Sequence, residues 1–284
     1  MSVDSRSARI AVTGATGHIG GLVAQSLADA GVLQRLIARS VNRLPQLAGT
    51  DSAETTYGDQ ERALAALAGI DTLFMVSAAE SADRLDQHRT FIDAAAAAGV
   101  RHIVYTSFLG AAPDATFTLA RDHWVTEEHI RASGLAFTFL RDSFYLDFLP
   151  ALAGEDGVIR GPAGDGLVGA VARSDIAAVA VSVLQDLDSH VGQTYNLTGR
   201  EALTLSEAAS IITEVTGKRT TYVEEAYESR ASYNAPAWEL DAWVSTYTAI
   251  AQGELALITT TVEDLVGRPP LTLREFLTAQ LDIA

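Results

Sequence analysis

The 284-residue chain contains no cysteine. Disulfides, thiolate nucleophiles and sulfur-ligated metals are therefore excluded, and a reducing compartment is permitted. Lysine occurs once, at Lys218, and the 20 Lys and Arg face 36 Asp and Glu, for a formal net charge of −16. A chain this poor in cations offers no footprint for a phosphate backbone, so nucleic acid is not an expected partner. No apolar run approaches the roughly 20 residues that cross a bilayer, and MSVDSRSAR carries no signal-peptide core; the expected location is the cytoplasm. Three kinds of chemistry are also missing. Glu214, not Tyr, stands four residues before the lone lysine, so no Tyr–Lys proton-transfer pair exists. There is no G-x-S-x-G elbow, and the six histidines form neither H-E-x-x-H nor a tight metal cluster.

What the chain does have is apolar mass, 48% of its residues, ample for a full core in one domain or two. Its opening stretch, RIAVTGATGHIGGLVAQSLADA from Arg9 to Ala30, joins an apolar run, three glycines at G-x-x-G-x-x-G spacing and a helical pattern in Ile19, Leu22, Val23 and Leu27. Gly14 permits a tight turn, Gly17 withholds the Cβ that would obstruct a pyrophosphate, and Gly20 lets the helix pack closely. Behind that turn the helix presents unpaired N–H groups and the positive end of its dipole to the phosphates.

Strand, turn and helix signals then alternate. A second strand at Leu33–Ala38 ends in Arg39, where an NAD-preferring site carries Asp or Glu and an Arg accommodates the 2′-phosphate of NADP; Arg39 points to NADP. Thr55–Tyr57 reads as a short third strand, and Asp59 either caps the helix from Gln60 to Ala68 or reaches the adenine. Asp71–Ser77 is a fourth strand whose end, Ser77 and Ala78, is small enough for a nicotinamide to lie close. Helix Arg84–Ala98 precedes a fifth strand, Arg101–Ser107, which puts Ser107 at a carboxyl end, where ligands bind in open parallel sheets. Helix Thr118–Ser133 sets His123 and Glu127 on one face. A sixth strand, Phe137–Leu140, runs into Arg141-Asp142-Ser143-Phe144-Tyr145.

Six strands alternating with helices predict an α/β fold, a Rossmann-type doubly wound parallel sheet with a smaller C-terminal α+β substrate lobe. The expected boundaries are 1–153 for the NADP-binding domain and 154–284 for the lobe, with elements at 168–200 returning to the first. Tyr227, Tyr233, Trp238, Trp243 and Tyr247 crowd one acidic stretch, where they either roof a pocket for a flat substrate or pack the lobe.

The motifs TGATGHIG, IARS, YGD, DTLFMVS, VRHIVYTS, LARDHWVTEEHIRASGLAFTFLRDSFY, GPAGDG and GQTYNLTG, in this order, resemble the NmrA-like atypical short-chain dehydrogenases, in particular their NADPH-dependent quinone oxidoreductases and triphenylmethane reductases. The resemblance covers the whole chain and is most diffuse after Glu224. It implies that Gly14, Ala15, Thr16, Gly17, His18, Ile19 and Gly20 hold the pyrophosphate and that Arg39 takes the 2′-phosphate. It also implies that Ser77 and Ala78 lie along the cofactor and that Asp142, Ser143 and Phe144 meet its nicotinamide end. Relatives usually carry Asn where this chain has Asp142, which sets a negative charge beside the ring and favours the oxidised cofactor. His123 aligns roughly with a lysine that is catalytic in the isoflavone-reductase-like branch, and Tyr145 and Ser107 are candidates to bind a substrate oxygen.

The chemistry expected without a strong positioned acid is hydride transfer to an acceptor that needs little proton help. A simple ketone yields an alkoxide that needs a proton at once, whereas a quinone yields a phenolate-like anion of pKa about 10, and a cationic dye needs no proton. The expected function is an NADPH-dependent oxidoreductase of quinones or similar flat conjugated acceptors, acting as a monomer or homodimer on a small aromatic substrate, with no metal, nucleic acid or membrane. Two alternatives stand beside it: a non-catalytic NADP(H) sensor with a protein partner, and a tailoring oxidoreductase of an aromatic natural product.

Overall fold

A computed structural model describes residues 10–226, 228–229 and 233–281; Arg9 and Tyr227, both named above, lie outside the described residues. The first half of the chain runs β1 (Ile10–Thr13), α1 (His18–Asp29), β2 (Gln34–Ala38), β3 (Thr50–Glu54), α2 (Gln60–Leu67), β4 (Thr72–Met75), α3 (Arg84–Ala98), β5 (His102–Phe108), α4 (Thr118–Ala132) and β6 (Ala136–Asp142). It continues through β7 (Val158–Gly161), β8 (Leu167–Val168), α5 (Arg173–Gln185), β9 (Thr194–Leu197), β10 (Leu203–Thr204), α6 (Leu205–Thr216), β11 (Thr221–Glu224), α7 (Ala237–Ala251), α8 (Thr261–Val266) and α9 (Leu273–Leu281).

Seven strands form one sheet in the order β3-β2-β1-β4-β5-β6-β9. The pairings β1–β2, β1–β4, β2–β3 and β4–β5 are parallel. Backbone bonds from Ala136 to Arg101 and Leu109 to Asp142, and from Phe139 to Gln193 and Ser143 to Leu197, carry the same sense to β6 and β9. The expected doubly wound sheet is thus present with one strand more. Its order reverses between β1 and β4, the switch point beyond which ligands bind in such sheets. β1 and β4 are buried at every position, as strands covered on both faces must be.

Contacts divide the chain into two compact units. The first holds the described residues up to Ser107 with Val125–Leu140 and Ala177–Tyr195; the second holds Phe108–Trp124, Arg141–Ile176 and the described residues from Asn196 on. The sequence suggests a break after residue 153 with elements at 168–200 returning to the first domain; the division by contacts is interleaved, and α4, α5, β5, β6 and β9 each give residues to both units. The first unit packs Ala11, Ile37, Leu67, Leu73, Met75, Phe91, Ile103, Tyr105 and Phe139 into one core. The second has its own, built on Leu146, Leu149, Ile159, Val168, Leu205, Ile212, Ile250 and Leu273. It also carries two small sheets, parallel β7–β11 and antiparallel β8–β10.

One expectation is corrected. The third strand is Thr50–Glu54, not Thr55–Tyr57: it is an edge strand paired with β2, no position of it is fully buried, and its sequence TDSAE shows no apolar alternation. The acidic, aromatic stretch contains a 15-residue helix, α7. Its aromatics divide: Tyr247 packs so closely that a Cβ on Gly161 would lie 2.4 Å from its ring, while Trp238 and Trp243 stay exposed.

Candidate functional site

The first unit presents a phosphate cradle. Gly14 turns the chain out of β1 at φ +66°, and a Cβ there would meet Val76 at 3.1 Å. A Cβ on Gly20 would lie 2.4 Å from the Gly14 backbone, so the helix start and the turn touch in a way only glycine allows. Gly17 differs: its Cβ would meet only the Gly14 carbonyl, at 3.3 Å, leaving the outer side of the turn open. Gly17 is the N-cap of α1, with no side-chain cap and no acidic residue in the first turn. α2, α3, α5, α6, α7, α8 and α9 carry Asp or Glu there, and α4 does not. A helix start without a carboxylate leaves its N–H groups and dipole open to an anion. His18 and Thr16 are exposed on the turn, Ala15 and Ile19 buried beneath it.

Beside the cradle, a network fixes the carboxyl ends of β1 and β4. Val76 N donates to Thr13 Oγ1 at 2.9 Å, and the Tyr57 hydroxyl lies 2.6 Å from both Thr13 Oγ1 and Val76 O. Since a carbonyl only accepts, the Tyr57 proton goes to Val76 O. Tyr57 stacks on Phe91 at 4.3 Å, and burial raises its pKa. Ser77 N donates to Thr106 Oγ1 at 2.8 Å. Ala78 is held at both backbone atoms: its N–H donates to His88 Nε2 at 2.9 Å, and its carbonyl accepts from Arg84 Nε at 3.0 Å. Because Nε2 accepts, the His88 proton sits on Nδ1 and is donated to Thr126 Oγ1 at 2.8 Å. Burial, and secondarily the Arg84 charge, push the His88 pKa down to about 3.

Arg39 follows β2, exposed and in no ion pair. It borders a cleft of about 640 Å³ with Thr56, Gly58, Asp59, Gln60, Asp83 and Gln87. Asp59 fills the capping role: its Oδ1 accepts from Arg62 N at 3.1 Å at the start of α2. Ser107, 2% exposed, donates its hydroxyl proton to Glu127 Oε1 at 2.6 Å, and Glu127, fully buried, meets Arg131 at 3.3 Å. Sequence reasoning noted Glu127 only as a neighbour of His123 on its helix; nothing in the spacing from 107 to 127 announces the hydrogen bond. His88 and Arg84 were missed as well, since a histidine and an arginine in an alanine-rich helix resemble solvated residues.

In the second unit, His123 is buried, its ring 6.2 Å from Phe108, which lies 4.8 Å from Phe117. The end of β6 and the turn after it carry Asp142, Ser143, Phe144 and Tyr145. Asp142 is fully buried; its Oδ2 accepts from the Tyr145 hydroxyl at 3.2 Å, and its Oδ1 has no partner, nor has the buried Ser143 Oγ. Burial holds the Asp142 carboxyl well above the usual carboxylate range, with the Tyr145 hydrogen bond acting in the other direction. Burial thus disfavours the negative charge expected at this position and favours the protonated carboxyl. Tyr145 and Phe144 are half-buried, packed 5.4 and 6.0 Å from the exposed ring of Phe148. Among the described residues no metal-binding cluster occurs and no helix is long and apolar enough to cross a membrane.

A parallel sheet with a glycine turn and an uncapped helix start at its switch point, and an exposed arginine at the end of β2, defines a dinucleotide-binding α/β protein. The NAD(P)H-binding family matches residues 14–187. Quinone oxidoreductase 2 of Escherichia coli is 35% identical over 94% of this chain and 96% of its own length. Its crystal structure complexed with NADPH covers 96% of this chain and 99% of that one at a TM-score of 0.86. The NAD(P)H azoreductase of Xenophilus azovorans is 32% identical over 94% of this chain and 96% of its own. Triphenylmethane reductase of Citrobacter sp., complexed with NADP(H), shares 31% identity at a TM-score of 0.83, covering 96% of this chain and 99% of that one. The chain belongs to the NAD(P)H-binding family and is an NAD(P)H-dependent oxidoreductase.

Proposed function

We propose that the protein is an NADPH-dependent reductase that delivers hydride to a quinone or a similar flat conjugated acceptor. The observation that carries the reading is the acid-free, uncapped start of α1 over the Gly14–Gly20 turn, with the unpaired Arg39 at the end of β2. In this reading Gly14, Ala15, Thr16, Gly17, His18, Ile19 and Gly20 hold the pyrophosphate and Arg39 the 2′-phosphate; Ser77 and Ala78, their backbone fixed by Thr106, His88 and Arg84, line the cofactor. Asp59 contributes by setting the start of α2 at the cleft. The partnerless Asp142 Oδ1 and Ser143 Oγ, with Phe144, are the second unit's contacts for a bound group.

The nicotinamide, when bound, supplies the hydride. The protein's own groups bind and orient. Of the three side chains proposed to serve the acceptor, Tyr145 is half-exposed, whereas His123 and Ser107 are 6% and 2% exposed. Tyr145 is therefore assigned direct contact, and His123 a place behind Phe108. Ser107, whose proton goes to Glu127, is able only to accept while that bond holds. The rings of Phe144, Tyr145 and Phe148 suit a flat aromatic guest, in keeping with relatives named as quinone and azo reductases.

The test is a spectrophotometric assay of NADPH oxidation with a panel of quinones and triphenylmethane dyes. Turnover with at least one quinone is expected. Tight coenzyme binding without turnover across the panel, with equal or stronger affinity for NADP⁺, would overturn the reading in favour of a sensor.

A further inference from the structure

Where the acceptor is a quinone, the oxyanion left by hydride uptake takes a proton, and the chain lacks the Tyr–Lys pair that supplies one elsewhere. In the second unit, one ionisable pair is arranged for the task. Asp142 is fully buried at the end of β6; among the described residues its Oδ1 has no hydrogen-bond partner, and its Oδ2 accepts from the Tyr145 hydroxyl at 3.2 Å. Tyr145 is half-buried, beside the exposed Phe148 ring, and keeps part of its surface open to solvent, whereas Asp142 keeps none. An ionised carboxylate in such a place would lack the compensation that buried charges require, so the carboxyl is a store of one proton.

We propose that Asp142 and Tyr145 together form the proton donor of the reaction, Tyr145 handing its hydroxyl proton to the reduced acceptor and Asp142 refilling Tyr145. This rests on the reductase reading above. The acceptor, having gained two electrons and one hydrogen as hydride, carries an oxyanion. The Tyr145 O–H bond breaks and an O–H bond forms on the acceptor. The phenolate left on Tyr145 takes the carboxyl proton of Asp142 across the same 3.2 Å contact, now with the carboxyl donating. After the product leaves, water returns one proton through Tyr145, the member it can reach. A neutral carboxylic acid so placed is a donor, where the ionised form could only accept.

Two measurements test it. The first compares acceptors with opposite proton needs: menadione, which must be protonated, and the malachite green cation, which need not be. The ratio of menadione to dye kcat/KM is expected to fall at least about tenfold in Tyr145→Phe and in Asp142→Asn, in line with the usual size of general acid catalysis. An unchanged ratio, whether both rates fall or neither does, would overturn the proposal while leaving the reductase reading intact. A wild-type protein inert toward both acceptors would overturn the reading itself and the proposal with it. The second is infrared spectroscopy of the purified protein without coenzyme at neutral pH. A protonated-carboxyl C=O band that shifts in heavy water is expected in the wild type and in Tyr145→Phe and is lost in Asp142→Asn; its absence from the wild type would overturn the proposal. Should Asp142→Asn fail to fold, the Tyr145→Phe ratio and the wild-type band decide.

Discussion

Gly17 and Gly20 stand three residues apart in one turn and do different work. A Cβ on Gly20 would sit 2.4 Å from Gly14 backbone atoms that cannot move aside, so Gly20→Ala is expected to cost about 3 kcal/mol or more. Gly17 has an ordinary φ of −105° and space around its Cβ position. Gly17→Ala should change stability by only about 1 kcal/mol yet weaken NADPH binding at least about tenfold, because the methyl occupies the anion's side of the turn. Thermal melts and calorimetric titration of both variants check the contrast; equal losses of stability would contradict it. Arg39→Ala should raise the NADPH dissociation constant about 10- to 100-fold, the worth of charge-assisted hydrogen bonds, and leave NADH binding nearly unchanged. The close approach at Gly20 was legible in the sequence because backbone geometry determines it, and the places of Gly17 and Arg39 were legible because the turn and the strand end fix them. The Ser107–Glu127 bond was not, since 20 residues and a helix separate its partners.

Elements differ in legibility for a physical reason. β1, β4 and α1 are covered by neighbours, so burial writes itself into their sequences as apolar runs and helical spacing. β3 and α7 lack that pressure: β3 is a polar edge strand, and α7 leaves Trp238 and Trp243 exposed. A helix that resembled a surface, α3, carries instead a buried histidine that holds the loop after β4. His88 has a folded-state pKa near 3 against about 6.5 when unfolded. Between these values the unfolded chain binds the extra proton, so stability rises with pH; the His88 contribution is complete above about pH 6.5 and is lost as pH falls below it. At pH 5 the loss should be about 2 kcal/mol. Denaturant melts of wild type and His88→Gln at pH 7.5 and 5 test it: the wild type should lose about 2 kcal/mol more than the variant over that range, and parallel losses would contradict the assignment.

At the scale of the molecule, a net charge of −16 and an anionic coenzyme repel one another, so binding depends on local devices that overcome the global field: the acid-free helix start, the glycine turn and Arg39. Binding to the folded state alone should stabilise it, by about 2.7 kcal/mol when NADPH is present at 100 times its dissociation constant, and a melt with and without coenzyme reads this directly. The sequence suggests the return of elements near 168–200 to the first unit, but not the divisions inside α4, β5 and β6, because no linker marks them and each element simply continues from one unit into the other. The most direct test of the account is calorimetric titration of the purified protein with NADPH, NADP⁺ and NADH. Saturable binding is predicted, with NADPH held at least about tenfold more tightly than NADH; no heat with any of the three, or a preference for NADH, would contradict it.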